Sequence, residues 1–203
     1  QYLSRSLYGA EVVTTITPLE RNRVNVTFTM NEGDAAHIRD ITIIGASVFS
    51  TSNLLSQFEL TRGGWMTWYT KSDRYSRTKL NADLETLKAF YLNRGYLEFA
   101  IESTQVTISP DKQDITITVN VREGQPYTVT AVRLEGNFLG REDEFKGLVT
   151  IRPGDLYRAD LVAATTKNFL ELFGAFGYAF ARADARPEID RASAQVAVVL
   201  SAA

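Results

Sequence analysis

The stretch Ile38-Arg39-Asp40-Ile41-Thr42-Ile43-Ile44-Gly45 returns 91 positions later as Val129-Thr130-Ala131-Val132-Arg133-Leu134-Glu135-Gly136. Each copy reads as a short β-strand ending on glycine, the residue that leaves the extended region most cheaply. After Gly45, Ser50 or Thr51 is placed to cap a first helix presenting Leu54, Leu55 and Phe58. A second helix follows, with Leu80, Leu84, Leu87 and Tyr91 on one stripe; its counterpart 82 residues on carries Val162, Thr166, Phe169 and Phe173. Gly95 and Gly177 then stand before Tyr96 and Tyr178, where a helix ends on a left-handed residue. Two strands close the unit. Ile115, Ile117, Val119 and Val121 alternate with polar residues, as Val196, Val198 and Leu200 do near the end, and as Val24, Val26, Phe28 and Met30 do near the start. The order is strand, helix, helix, strand, strand, an α+β class in which a three-stranded mixed sheet carries two helices on one face.

Self-similarity at this period predicts a string of modules of about 80 to 90 residues, each just large enough to bury a core. The first copy keeps only its closing strands, from Tyr8 onward, and Gln1-Tyr2-Leu3 reads as a helix end, so a piece of a longer protein is expected. Between its helices the middle copy is about nine residues longer than the last, an insertion holding Gly63, Gly64, Trp65 and Trp68 that reads as a surface loop.

The composition excludes more than it assigns. With 22 basic against 24 acidic residues, the net charge of −2 supplies no field to gather phosphates, so nucleic acid is not an expected partner. No cysteine is present and His37 is the only histidine, which removes thiolate nucleophiles, Ser-His-Asp triads and multi-histidine metal sites together. No catalytic residue, metal ligand or cofactor is expected, and the chain is not read as an enzyme. Asp83 and Glu85, two apart on a helix, point in different directions and read as a solvated face.

What remains is the sheet. A sheet covered on one face still has two flanks, whose unpaired N–H and C=O groups attract extended chains. Leu97 to Ile108 contains neither glycine nor proline and few charges. Its candidate partner-binding residues are Phe99, Ile101, Glu102, Ser103, Gln105, Val106 and Ile108, with a bulge expected near Glu102 to Gln105 to reconcile odd and even apolar positions. Turns are expected at Pro110-Asp111-Lys112 and Pro187-Glu188-Ile189-Asp190, and inter-domain hinges at Glu32 and Gly33 and at Glu123, Gly124, Gln125 and Pro126.

Asp83-Leu84-Glu85-Thr86-Leu87-Lys88 running into Tyr91-Leu92-Asn93-Arg94-Gly95-Tyr96, then Ser103-Thr104-Gln105-Val106, Pro110-Asp111-Lys112 and Glu135-Gly136-Asn137, resemble the POTRA domains of the Omp85 superfamily. On that resemblance residues 1–34 correspond to the tail of a second POTRA domain, 36–124 to a third and 125–203 to a fourth. Ser6-Leu7, where later copies have glycine before tyrosine, and Ala46, opposite Asn137, depart from the pattern. The family implies a periplasmic arm of a Gram-negative outer-membrane protein, anchored by a β-barrel outside this chain. It implies two kinds of partner, unfolded outer-membrane β-barrel proteins and accessory lipoproteins, one of them propeller-shaped and set against the third domain through positions matching Glu102, Val106 and Ile108. A rigid periplasmic spacer, or the POTRA region of another Omp85 or two-partner secretion protein, is the alternative expectation.

Overall fold

The computed structural model describes residues 11–19, 23–31, 36–62 and 74–203. Tyr8, the hinge pair Glu32 and Gly33, and the loop residues Gly63, Gly64, Trp65 and Trp68 lie outside these. The strands are β1 (Glu11–Leu19), β2 (Arg23–Asn31), β3 (His37–Ile44), β4 (Ala100–Ile108), β5 (Asp114–Arg122), β6 (Thr128–Gly136), β7 (Ala183–Asp190) and β8 (Gln195–Ala202). The helices are α1 (Thr51–Leu55), α2 (Arg77–Leu92), α3 (Glu142–Gly147) and α4 (Ala159–Ala175). The chain forms two compact units, one of residues 1–87 and 101–121, the other of 88–100 and 122–203.

In the first unit, β5 is the centre of a three-stranded mixed sheet ordered β3-β5-β4, with β3 parallel to it. Centrality explains its pattern. Ile115, Ile117 and Val119 are fully buried, while the threonines between them are only partly so. Ile38, Ile41, Leu54 and Leu60 are buried in the same unit, and of the stripe read from the helical periodicity Leu80, Leu87 and Tyr91 are buried and Leu84 is partly so. Ser50 is the N-cap of α1, its hydroxyl accepting the Asn53 amide at 3.3 Å.

β1 and β2 pair antiparallel from Glu11 opposite Asn31 to Leu19 opposite Arg23. The alternation in β2 buries nothing: Val24 and Phe28 are each 61% exposed. Among the described residues this sheet has two strands, whereas β5 lies between two others.

Asp83 overturns the reading of a solvated helix face. It is 3% exposed, and its carboxylate accepts the Glu59 amide at 2.7 Å and the Leu60 amide at 3.0 Å. Burial pushes its carboxyl above the usual aspartate range, and the two backbone bonds pull in the other direction. Glu85 is exposed, as expected. Asp83→Ala would leave two backbone donors without their acceptor, and we expect a loss of about 2 kcal/mol, read from the denaturant midpoint.

The second unit repeats the plan, with β8 central in the order β6-β8-β7, parallel to β6 and antiparallel to β7. Its core centres on four phenylalanines: Phe145 meets Phe138 at 5.0 Å and Phe169 at 5.2 Å between ring centres, both edge to face, and Phe173 completes the group. On α4 the fully buried threonine is Thr165, which bonds back to the Leu161 carbonyl; Thr166 is only partly covered. The repeat extends to irregularities: the register slips between Ile38 and Asp40 in β3 and between Val129 and Ala131 in β6, matching places 91 residues apart.

Candidate interaction edge

The two flanks of the first sheet differ. Along β3, Arg74 bridges His37, the Arg62 guanidinium donates to the Ile41 carbonyl at 3.3 Å, and Arg62 also pairs with Asp40 at 3.0 Å. That flank is already partly occupied. β4 is the other outer strand, and among the described residues no strand lies on its outer side. From Glu102 to Ile108 every residue is exposed, and the strand holds neither proline nor glycine.

The β4–β5 turn is held by its own side chains. The Ser109 amide donates to the Asp114 carbonyl at 2.9 Å and the Lys112 amide to the Ser109 carbonyl at 2.9 Å, with Lys112 at a φ of 60°. Asp111 accepts from the Ser109 hydroxyl and the Gln113 amide, which hold its carboxyl below the usual aspartate range. This confirms the turn read at Pro110-Asp111-Lys112. The Asn120 side chain donates to the Ser103 hydroxyl at 2.7 Å. Ser103 to Ser109 and Asp114 to Asn120 are equal spans, so these two contacts call for no unmatched residue between them. Val106 and Ile108 are 36% and 38% exposed at the open flank.

Phe99 does not belong to the edge. It precedes β4, is 5% exposed and stacks on Tyr91 with centroids 4.0 Å apart, because an aromatic ring at the strand entrance finds another ring before it finds solvent. Ile101 is half-buried at the strand's start. Glu102, Ser103, Gln105, Val106 and Ile108 remain together on the open strand.

In the second unit, the outer strand β7 contains Pro187, paired opposite Val198. The turn expected at Pro187 to Asp190 is instead strand, and the reversal lies at residues 191–194, where Ala194 adopts a φ of 54°. An outer strand tolerates proline because the missing N–H would have faced outward. Asp190 holds that turn, accepting from the Ser193 hydroxyl at 2.7 Å and the Ala192 amide at 3.0 Å, and these bonds keep its carboxyl below the usual range.

Of the residues read as a hinge, Glu123 and Gln125 are held by bonds within the second unit, while Gly124 and Pro126 are exposed. Glu123 is 7% exposed and accepts the Tyr91 hydroxyl at 2.7 Å. Burial, then that bond, raises the Tyr91 hydroxyl far above its ordinary value. The Gln125 amide group donates to the Arg191 carbonyl at 2.8 Å. Glu98 accepts from the Tyr127 hydroxyl at 2.6 Å and from Arg191 at 2.7 Å, and those two bonds hold its carboxyl below the ordinary range. Nothing in the sequence pattern announced these pairs, since their partners lie 29 to 93 residues apart.

No group of three or more His, Asp and Glu side chains placed to hold a metal occurs among the described residues. No helix among them is long and apolar enough to cross a membrane, which leaves β-barrels unaddressed. The arrangement offers backbone pairing at one flank.

Comparison with known proteins places this geometry. The chain is 33% identical over 188 residues to the outer membrane protein assembly factor BamA of Neisseria meningitidis serogroup B, covering 92% of this chain and 24% of that protein. It is 31% identical over 180 residues to BamA of Buchnera aphidicola, covering 88% and 29%. It thus spans about a quarter of the length of these relatives. The crystal structure of Haemophilus influenzae BamA POTRA3-5 matches with a TM-score of 0.72 at 25% identity, over 83% of this chain and 66% of that one. BamA from Haemophilus ducreyi lacking POTRA domains 1-3 shares the fold, with a TM-score of 0.64 at 18% identity, over 82% of this chain and 29% of that one. The family model for POTRA, the surface antigen variable number repeat, matches residues 36–124 and 127–201, so the chain belongs to the POTRA family.

Proposed function

We propose that this chain is a periplasmic, non-catalytic scaffold arm of the outer-membrane β-barrel assembly machinery, and that β4 receives other polypeptides as an added strand. The supporting observation is the asymmetry of the outer strands: β4 is exposed over seven consecutive residues without proline and no described strand pairs with its outer side, β3 is partly covered by Arg62 and Arg74, and β7 carries Pro187. Main-chain pairing holds an extended partner with little regard to its sequence, which suits clients that share β-strand character and little else. Those clients are unfolded outer-membrane β-barrel proteins. Accessory lipoproteins of the BAM complex are the second class of partner, with a BamB-like propeller docking on residues 36–124, the domain proposed as the third POTRA. Residues 1–34 are proposed as the tail of the second and 125–203 as the fourth, and a membrane β-barrel outside this chain anchors the whole.

A photo-crosslinking residue placed singly from Phe99 to Ile108 in the full-length protein tests the site. Capture of client or lipoprotein at Glu102, Val106 and Ile108, with little at buried Phe99, is the expected result. Uniform background along the strand, with strong capture elsewhere, would move the site off β4.

A further inference from the structure

Each unit has a hollow beside the outer strand that runs parallel to its central one, at matching places, and only one of the two is crossed by a charged side chain. In the first unit the hollow, of about 540 Å³, is lined by Ile41, Leu55, Leu60 and Arg62 together with hydroxyl side chains of α1. Arg62 spans the flank of β3 there, its guanidinium donating to the Ile41 carbonyl at 3.3 Å and pairing with Asp40 at 3.0 Å. Ile41, Ile43 and Phe58 are all buried.

The second unit lacks each part of that cover. Ala131 stands where Asp40 does, Pro153 where Arg62 does and Val149 where Phe58 does, all 91 residues on. Val132, Leu134 and Val149 are only partly buried, and with Ile151 and Lys146 they line a groove of about 270 Å³. The start of this flank is closed, since the Val129 amide donates to the Asp155 carbonyl and the Val129 carbonyl accepts the Gly154 amide, both at 2.8 Å. Beyond Val129, among the described residues, no strand and no backbone bond lies on the outer side of β6. Arg133, between Val132 and Leu134, is turned across the sheet, where its guanidinium donates to Glu188 of β7 at 2.7 Å. It therefore puts no charge on the flank, where a protected edge carries one.

We propose that the outer flank of β6 from Val132 to Leu134 receives an extended polypeptide segment of another protein, one aliphatic side chain of which enters the groove. The Ile41 carbonyl faces outward to Arg62, so by the repeat the Val132 carbonyl faces outward, and Leu134, two residues on, presents the same side. Backbone donors and acceptors in a row above four aliphatic side chains are complemented by another strand, because an extended main chain supplies N–H and C=O groups at that spacing. With Ala131 in place of Asp40, no carboxylate stands there to hold a partner's guanidinium, and the occupant's polar contact is its main chain. β6 and β4 belong to different sheets, and the inference does not rest on the role proposed for β4.

A photo-crosslinking residue at Lys146, which lines the groove and is exposed, reports its occupancy in the 203-residue chain. The probe is a labelled peptide of alternating valine and serine with both ends blocked. Capture at Lys146 well above capture at Glu171, an exposed position on α4, is the expected result. Ala131→Asp with Pro153→Arg installs the pair that crosses β3 and should lower capture about tenfold, the worth of one main-chain bond. Val149→Phe, which gives the groove the residue type of Phe58, should lower it as well. Thermal unfolding checks each variant, and Val149→Phe decides alone if the double substitution melts early. Capture at Lys146 no greater than at Glu171, or undiminished in a variant that melts like the parent chain, would overturn the proposal. Capture that falls with Val106→Pro would overturn it too, because the peptide would then lie on β4.

Discussion

Gly45→Ala and Gly136→Ala are each expected to destabilise their unit by about 3 to 4 kcal/mol, the largest effect of a methyl added at any of the described glycines. Two penalties coincide at each position. The backbone φ is 93° at Gly45 and 106° at Gly136, a region that costs an L side chain about 1 kcal/mol or more. The added Cβ would also lie 2.1 Å from the carbonyl oxygen of Val121 in one case and Ala202 in the other. No rotamer relieves that overlap, because a Cβ has none and the oxygen belongs to the end of a central strand. In the second unit the same oxygen accepts the Asn137 amide at 3.1 Å, so moving it breaks a bond as well. Gly154→Ala is the control: its φ is 95° but nothing lies within 4 Å of its Cβ, so it should cost only the conformational part, about 1 kcal/mol. Chemical denaturation followed by circular dichroism separates the three, and equal losses at all three positions would show that the collision is relieved by movement of the strand end.

Those glycines show why the fold was legible. A positive φ against a neighbouring carbonyl tolerates one residue type, so it marks the sequence twice at a fixed spacing, as the left-handed helix ends at Gly95 and Gly177 do. The stripe of Leu80, Leu84, Leu87 and Tyr91 is legible for a similar reason, since one helix face has one period. Asp83 was not, because its value lies in two amides 23 and 24 residues away and no local pattern encodes a distant acceptor. Pro187 misled because proline serves turns and outer strands equally well, and only sheet order distinguishes them. Of the candidate edge, the absence of breakers in β4 was legible, whereas the burial of Phe99 was not; its stacking partner Tyr91 sits on α2. The exposed alternation of β2 is the converse case. Val24 to Met30 satisfy the same pattern as β5, and pattern alone carries no information about whether a third strand and helices are there to use it.

Val106→Pro is expected to weaken binding of an unfolded outer-membrane β-barrel client by about tenfold while leaving the fold intact, and the strand's own hydrogen bonding explains why this position is the one to change. The Ser109 amide points inward to Asp114. Counting back in twos along an extended strand gives the same direction to Thr107, Gln105 and Ser103, so the amides of Glu102, Thr104, Val106 and Ile108 face the open flank. Proline at Val106 removes an outward donor and sets a ring where an added strand must approach, but it spares the β4–β5 pairing. Proline at Gln105 removes an inward donor, and should lower the melting temperature as well as binding. The pair of variants therefore separates an interaction edge from a structural one. Client binding is read by fluorescence titration and folding by thermal unfolding. Val106→Pro that melts like the parent chain and still binds the client at full strength would remove β4 as the receiving strand, since a strand seated there would lose the bond to the Val106 amide and meet the proline ring.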